Sequence, residues 1–92
     1  MRYRELSSFE KGYGKLSEEE KERVKKSLLQ LVDAFEKHDI PAGLGLKKLF
    51  ASLWELRVGL KVRVIFILKK DIVEWGFAGT HEDIRRFMKG AG

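Results

Sequence analysis

Residues 53–78 read LWELRVGLKVRVIFILKKDIVEWGFA and contain most of the strand-forming residues of this 92-residue chain. Three runs within them, 53–58, 62–68 and 72–78, are rich in β-branched and aromatic side chains and are separated by short polar or glycine-containing breaks. The pattern predicts a meander of three antiparallel strands joined by two hairpins.

The pairing register follows from the alignment that collects apolar side chains on one face, because a slip of one residue turns every side chain over. A three-residue loop at 59–61 gives the apolar pairs Val58 with Val62, Leu56 with Val64 and Trp54 with Phe66. A two-residue loop at 70–71 adds Val73, Trp75 and Phe77 to this face. We expect this face to belong to the core.

The other face is predicted to set Arg57 directly across from Arg63. The residues that share it are Glu55 on the first strand and Glu74, Gly76 and Ala78 on the third. Like charges opposed across a ladder destabilise a sheet by up to about 1 kcal/mol, so a bound anion is one reason to keep them there. Guanidinium groups match phosphate oxygens bidentately, and the small residues leave space for such a ligand. The alternative is that both arginines point to solvent and that Glu55 neutralises one of them.

A short strand is predicted over residues 2–6, at the edge of a sheet. The apolar residues that recur after it at helical spacing are Phe9, Tyr13 and Leu16. Ser7 and Glu10 match the capping-box pattern, so we expect a short helix to begin there.

The strongest helical pattern comes next in the chain. Ser17 and Glu20 form a second capping-box pattern. The apolar stripe that follows consists of Val24, Leu28, Leu31, Val32 and Phe35. The helix is predicted to end near Lys37 or His38, because the residue before Pro41 is disfavoured as helical.

Residues 41–51 contain Gly43 and Gly45 and predict a connector that leads into the sheet. Lys47 and Lys48 within it are candidates for the rim of the anion site. The alternative is that they are solvated loop lysines.

A third helix is predicted after the meander, where Thr80 and Asp83 match a partial capping box. Its apolar stripe consists of Ile84, Phe87 and Met88. His81 falls in the first turn, close to the end of the third strand and so near Arg63. The alternative for this lone histidine is a structural role.

Composition limits the class of protein. The length predicts one domain, and the net charge of +5 with a pI of about 9.6 favours polyanionic partners, either nucleic acid or an acidic protein. The chain has no cysteine and no apolar run of membrane-spanning length, which favours a cytoplasmic protein with no membrane association. It also lacks metal-ligand spacing, a phosphate-binding glycine loop and a nucleophile elbow, so we expect neither a metal nor a small-molecule cofactor.

The predicted order of strand, two helices, meander and terminal helix resembles the RelE/ParE superfamily of bacterial toxins. The motifs that carry the resemblance are GLGLKKL (43–49), LWELRV (53–58), VRVIF (62–66) and AGTHEDIRRFMK (78–89). The resemblance implies one α+β toxin domain over residues 1–92. It also implies an antiparallel sheet of about four strands, two N-terminal helices packed on one face and a short C-terminal helix.

The function implied by this resemblance is that of the toxin in a type II toxin-antitoxin pair, which a cognate antitoxin silences. RelE-like members cut messenger RNA in the ribosomal A site. A ribosome-dependent mRNA endoribonuclease that inhibits translation, with metal-independent cleavage, is therefore expected. The alternatives are a ParE-like toxin that binds a protein target such as DNA gyrase and a toxin-fold protein without activity.

The resemblance also assigns site residues. Basic residues on the two central strands of these ribonucleases hold the scissile phosphate, and Arg57 and Arg63 match them. Glu55 matches a position that is acidic in some members and basic in others, and His81 lies near a catalytic arginine or histidine. RNA cleavage by its own 2′-OH needs a base, cations and an acid, which Glu55, the arginine pair and His81 could supply in that order. Phe87 departs from the family, because several RelE-like enzymes have a functional tyrosine there.

Overall fold

The computed structural model describes residues 1–91, which form three helices and one five-stranded sheet. The elements are β1 (Arg2–Glu5), α1 (Ser7–Gly14), α2 (Glu18–Glu36), β2 (Leu46–Phe50), β3 (Leu53–Val58), β4 (Val62–Leu68), β5 (Ile72–Thr80) and α3 (His81–Ala91). The strand order is β1-β5-β4-β3-β2. The α+β prediction is confirmed, with one strand more than expected. Within the described part of the chain, no helix has the length and apolar character needed to cross a membrane.

The meander has the predicted register. Val58 pairs with Val62, Leu56 with Val64 and Trp54 with Phe66. The pairing of β4 with β5 also follows the prediction as far as Phe66 opposite Trp75. Both ladders are antiparallel, so β3 and β5 run in the same direction.

The core lies between this sheet and α2. The buried α2 residues Val24, Leu31 and Phe35 join one cluster with sheet residues that include Leu56, Val64 and Phe66. The Phe66 ring meets the rings of Phe35 and Trp75 edge-on, at centroid distances of 6.2 and 5.5 Å. The predicted stripe of α2 is therefore the face that covers the sheet.

The predicted start of α2 is also confirmed. The Ser17 Oγ accepts a hydrogen bond from the Glu20 backbone N–H at 3.1 Å, and the Glu20 Oε1 accepts one from the Ser17 N–H at 2.9 Å. This capping box satisfies two of the N–H groups that a helix start leaves unpaired.

A β-bulge at Gly76 reverses the predicted faces of the two residues after it. Ile65 pairs with Phe77 while Phe66 pairs with Trp75, so β5 contains one extra residue between these pairs. Ala78 therefore lies opposite Val64 in the core, and Phe77 lies on the other face, contrary to both predictions. The space that Gly76 and Ala78 were expected to leave for a ligand is absent, because Phe77 occupies that face.

Helix α1 packs along β5, and it does not begin with the predicted capping box. Leu6 is its N-cap and makes no side-chain cap, so Ser7 with Glu10 was a wrong prediction. Ser8 instead donates its hydroxyl to the Gly76 carbonyl. At Gly12, any Cβ would collide with the Ala78 carbonyl oxygen, so glycine allows this close approach.

The segment expected to be a connector contains strand β2, which pairs antiparallel with β3. Gly43 and Gly45, at φ of +87° and +91°, turn the chain into this strand. The Gly45 carbonyl then accepts a hydrogen bond from the Arg57 N–H at 2.9 Å. This pairing makes β3 an inner strand of the sheet.

The short strand predicted near the N-terminus is β1, and it pairs parallel to β5. Glu74 is buried and forms ion pairs with Arg4 of β1 and, at 3.6 Å, with Lys69. The Tyr3 hydroxyl donates to the Glu36 carboxylate at 3.0 Å. These contacts attach β1 both to β5 and to the end of α2.

Candidate functional site

Four of the predicted site residues lie on the sheet face opposite α2. Arg57 of β3 is directly across from Arg63 of β4, as the sequence predicted. Glu55 precedes Arg57 by two residues and so shares its face. Lys47 of β2 is directly across from Glu55 and belongs to the same face. We call these four residues the basic face.

The two arginines differ in how they are held. Arg63 is half-buried, and its Nη1 donates to the Val62 carbonyl at 3.1 Å and, more weakly, to the Leu60 carbonyl at 3.5 Å. Arg57 is exposed, and its side chain makes no hydrogen bond or ion pair with residues 1–91. Each guanidinium has five N–H donors, so both retain donors for an anion.

Glu55 is half-buried and forms no ion pair within the described residues. The alternative to an anion site was that both arginines point to solvent and that Glu55 neutralises one of them, and the exposed Arg57 agrees with the first part. The Glu55 carboxylate stays available beside the arginine pair.

His81 is the first residue of α3 and is exposed. Thr80, just before it, pairs with Val62, and Gly79 pairs with Arg63. His81 thus follows, by two residues, the β5 partner of Arg63. Glu55 precedes Arg57 by the same number of residues on β3, which runs in the same direction as β5, so the backbones of Glu55 and His81 lie on opposite sides of the row that contains Arg57, Arg63 and Gly79.

The predicted cap of α3 is present and fixes the position of this helix start. The Asp83 Oδ2 accepts from the Thr80 N–H at 3.0 Å, and the Thr80 Oγ1 accepts from the Asp83 N–H at 3.2 Å. The hydrogen bond from the Thr80 backbone is the main reason that the pKa of Asp83 lies below its ordinary value, with smaller effects of the Thr80 hydroxyl and Arg86.

Lys48 lies away from the basic face. It is directly across from Trp54, which alternates with Glu55, so it belongs to the side of the sheet that faces α2. The two predicted rim lysines therefore lie on opposite faces of the sheet, because successive side chains alternate along a strand.

Helix α3 covers part of the face that the sequence predicted to be open. The Phe87 ring stacks on the Phe77 ring at a centroid distance of 4.6 Å and an angle of 12°. Ile84 and Ile65 are buried outside the main core cluster. Sequence reasoning missed the covering of this face by α3 because it placed Phe77 on the α2 side. The apolar stripe of α3 could have indicated this packing, because an amphipathic helix needs an apolar surface to cover its apolar face.

Metal ligands are not grouped in the described residues. Among residues 1–91, no three histidine, aspartate or glutamate side chains lie close enough together to hold a metal ion. The basic face itself presents guanidinium, ammonium and carboxylate groups.

Neither a protein-family model nor a curated protein matches the sequence. Solved structures do match the fold. One chain of the RelB–RelE antitoxin-toxin complex from Methanococcus jannaschii superposes with a TM-score of 0.71 at 15% identity, covering 91% of this chain and 96% of that one. The DinJ–YafQ complex from E. coli gives 0.72 at 15% identity, covering 91% and 98%. This chain has the fold of the RelE and YafQ toxins.

A mutant toxin from Helicobacter pylori, solved with copper bound, is also similar, with a TM-score of 0.64 at 13% identity over 91% of this chain and 98% of that one. All three matches extend over nearly the full RelE-like fold.

Proposed function

We propose that this chain is the toxin of a type II toxin-antitoxin pair and acts in the cytoplasm as a ribosome-dependent mRNA endoribonuclease. The shared fold supports a toxin, and one of the similar structures is a complex of a toxin with its antitoxin. The observation that carries the ribonuclease assignment is the opposed Arg57–Arg63 pair on the basic face.

The arginine pair suits a phosphodiester that gains charge during cleavage. Two guanidinium groups on adjacent strands repel one another, and a phosphate between them relieves this repulsion. Attack on phosphorus increases the negative charge on its equatorial oxygens, which fixed cations stabilise more strongly in the transition state than in the substrate.

Glu55 and His81 suit the two proton transfers. The Glu55 carboxylate takes the 2′-OH proton as that oxygen attacks phosphorus. The bond to the 5′-oxygen breaks as this leaving group receives a proton from the His81 side chain. The products are a 2′,3′-cyclic phosphate and a free 5′-OH. The attacking and leaving oxygens lie on opposite sides of phosphorus, so this division of roles requires Glu55 and His81 to act from opposite sides of the bound phosphate.

A second candidate function is ParE-like inhibition by binding a protein target such as DNA gyrase. The observation that favours it is Phe87, which carries no hydroxyl and stacks on Phe77 rather than presenting a polar group. Such a toxin would use the basic face only for association.

The test is inducible expression, with growth, protein synthesis, DNA replication and message integrity measured separately. Translation arrest with cut messages is expected. On purified ribosomes programmed with messenger RNA, His81→Gln should slow cleavage by roughly 10²- to 10⁴-fold while ribosome binding persists, because a positioned acid is worth about that much.

The matched control is His38→Gln, because His38 is exposed at the far end of α2. It should cleave at the wild-type rate. Growth arrest with intact messages and damaged DNA would select the ParE-like function. A fully active His81→Gln enzyme would remove this histidine from the mechanism.

A further inference from the structure

Two adjoining cavities form one groove between α1 and α3. Their volumes are about 310 and 330 Å³, and both are lined by Lys15, Phe77 and Asp83. We call this the α1–α3 groove. Neither cavity is lined by Arg57 or Arg63, so the groove is separate from the basic face.

The floor of the groove is apolar and offers no paired aromatic faces for a nucleobase. The rings of Phe77 and Phe87 cover one another. The backbone at Gly12 and Gly79 also lies close to the edges of the Phe77 ring. A Cβ added at Gly12 would lie 3.1 Å from the ring, and one added at Gly79 would lie 2.9 Å from it. Leu16 also lines the groove, and this apolar floor fits an aliphatic side chain better than a base.

The rim of the groove has unpaired positive charge. Lys11 and Lys15 are exposed, and neither forms an ion pair or side-chain hydrogen bond with residues 1–91. The two rim carboxylates are already engaged. Asp83 accepts from the Thr80 N–H and, at 2.7 Å, from Arg86, and Glu20 accepts from the capping N–H of its own helix.

We propose that the α1–α3 groove binds an acidic amphipathic segment of the antitoxin. An apolar side chain of this segment enters the groove, and its carboxylates pair with Lys11 and Lys15. The inference rests on the proposed toxin function. Because the arginine pair lies outside both cavities, the groove anchors the partner and does not hold substrate.

The experiment compares two charge-reversed toxins that carry the same change in net charge. One is Lys11→Glu with Lys15→Glu in the groove, and the control is Lys25→Glu with Lys26→Glu on the exposed side of α2. Toxicity is measured with and without the protein encoded beside the toxin gene. The Kd of each purified pair is measured at two salt concentrations.

The groove variant should remain as toxic as the wild type when expressed alone but should escape rescue by the partner. Its Kd should rise by roughly 10-fold or more, while the control changes by less than about 3-fold. Matched rescue and Kd values for the two variants would overturn the proposal. So would a groove variant that is no longer toxic alone, since the groove would then serve RNA or the ribosome. If the wild type forms no complex and arrests nothing, the proposed function itself fails.

Discussion

Arg57 and Arg63 are the residues on which the proposed chemistry depends most directly. Replacing either one by alanine should lower the rate of message cleavage by roughly 10²- to 10³-fold, the usual cost of losing one donor to a developing oxyanion. The free energy of unfolding should stay unchanged or rise by up to about 1 kcal/mol, because each change removes a charge from a repulsive pair. Cleavage assays and urea unfolding measure the two effects.

The two variants should differ slightly in stability. Arg63 also donates to the Leu60 carbonyl in the β3–β4 turn and to the Val62 carbonyl at the start of β4, whereas the Arg57 side chain makes no such bond among the described residues. The gain in stability should therefore be larger for Arg57→Ala. Unfolding of both variants in the absence of denaturant would show that the pair is structural and that the basic face is not the site.

The arginine pair itself could be predicted from sequence, because three apolar pairs on the opposite face fix the register of β3 against β4. Phe77 and Ala78 could not, because an extra residue at Gly76 reverses all later positions while leaving the apolar pattern equally plausible. A glycine within a strand can indicate a bulge, but it does not determine which face of the sheet the next side chain occupies.

Among the elements, α1 depends on one glycine for its distance from β5. Gly12→Ala should destabilise the fold by about 1 to 2 kcal/mol. Alanine gains about 1 kcal/mol in helix propensity, but the collision with the Ala78 carbonyl forces α1 away from β5 and strains the Ser8 bond to Gly76. The midpoint of urea unfolding measures the change.

Gly14→Ala is the matched control, since a Cβ at that position meets nothing within 4 Å. It should be neutral or should stabilise the protein by up to about 1 kcal/mol. Equal stabilisation by both substitutions would show that α1 can move freely relative to β5.

Strand β2 shows why a short edge strand escapes sequence analysis. Its residues Leu46–Phe50 include two adjacent lysines and follow two glycines, which together are typical of a loop. Exposed lysines are also common on edge strands, where they discourage pairing with another sheet. Only the partner β3, adjacent through a short turn, makes this segment a strand.

The free energy of unfolding of the protein should fall at both the acidic and the alkaline end of the pH range. The pKa of Asp83 is lowered mainly by the Thr80 N–H, so its contribution is present above the ordinary value of 3.8 and is lost as pH falls below it toward the lower folded value. Burial, followed by the bond to Glu36, raises the pKa of Tyr3 from 10.0 to about 12. The contribution of Tyr3 to the free energy of unfolding is present below pH 10.0 and is lost as pH rises toward about 12.

Chemical unfolding across this pH range measures the loss of stability at acidic pH (the acid limb) and at alkaline pH (the alkaline limb). Each limb has its own control variant. Asp83→Asn should flatten the acid limb, and Tyr3→Phe should flatten the alkaline limb without moving the other. An alkaline limb of the same slope in Tyr3→Phe would assign that loss of stability to a different group.

The parallel pairing of β1 with β5 sets the order in which a growing chain can complete its structure. Arg2 to Glu5 pair with Ile72 to Trp75, so β1 must wait for most of the chain, whereas β3, β4 and β5 meet through short turns. His81 follows later still. A nascent polypeptide that has not yet reached that histidine therefore lacks the complete set of proposed catalytic residues, and the ribosome that is making this chain is not exposed to the finished site during most of its synthesis.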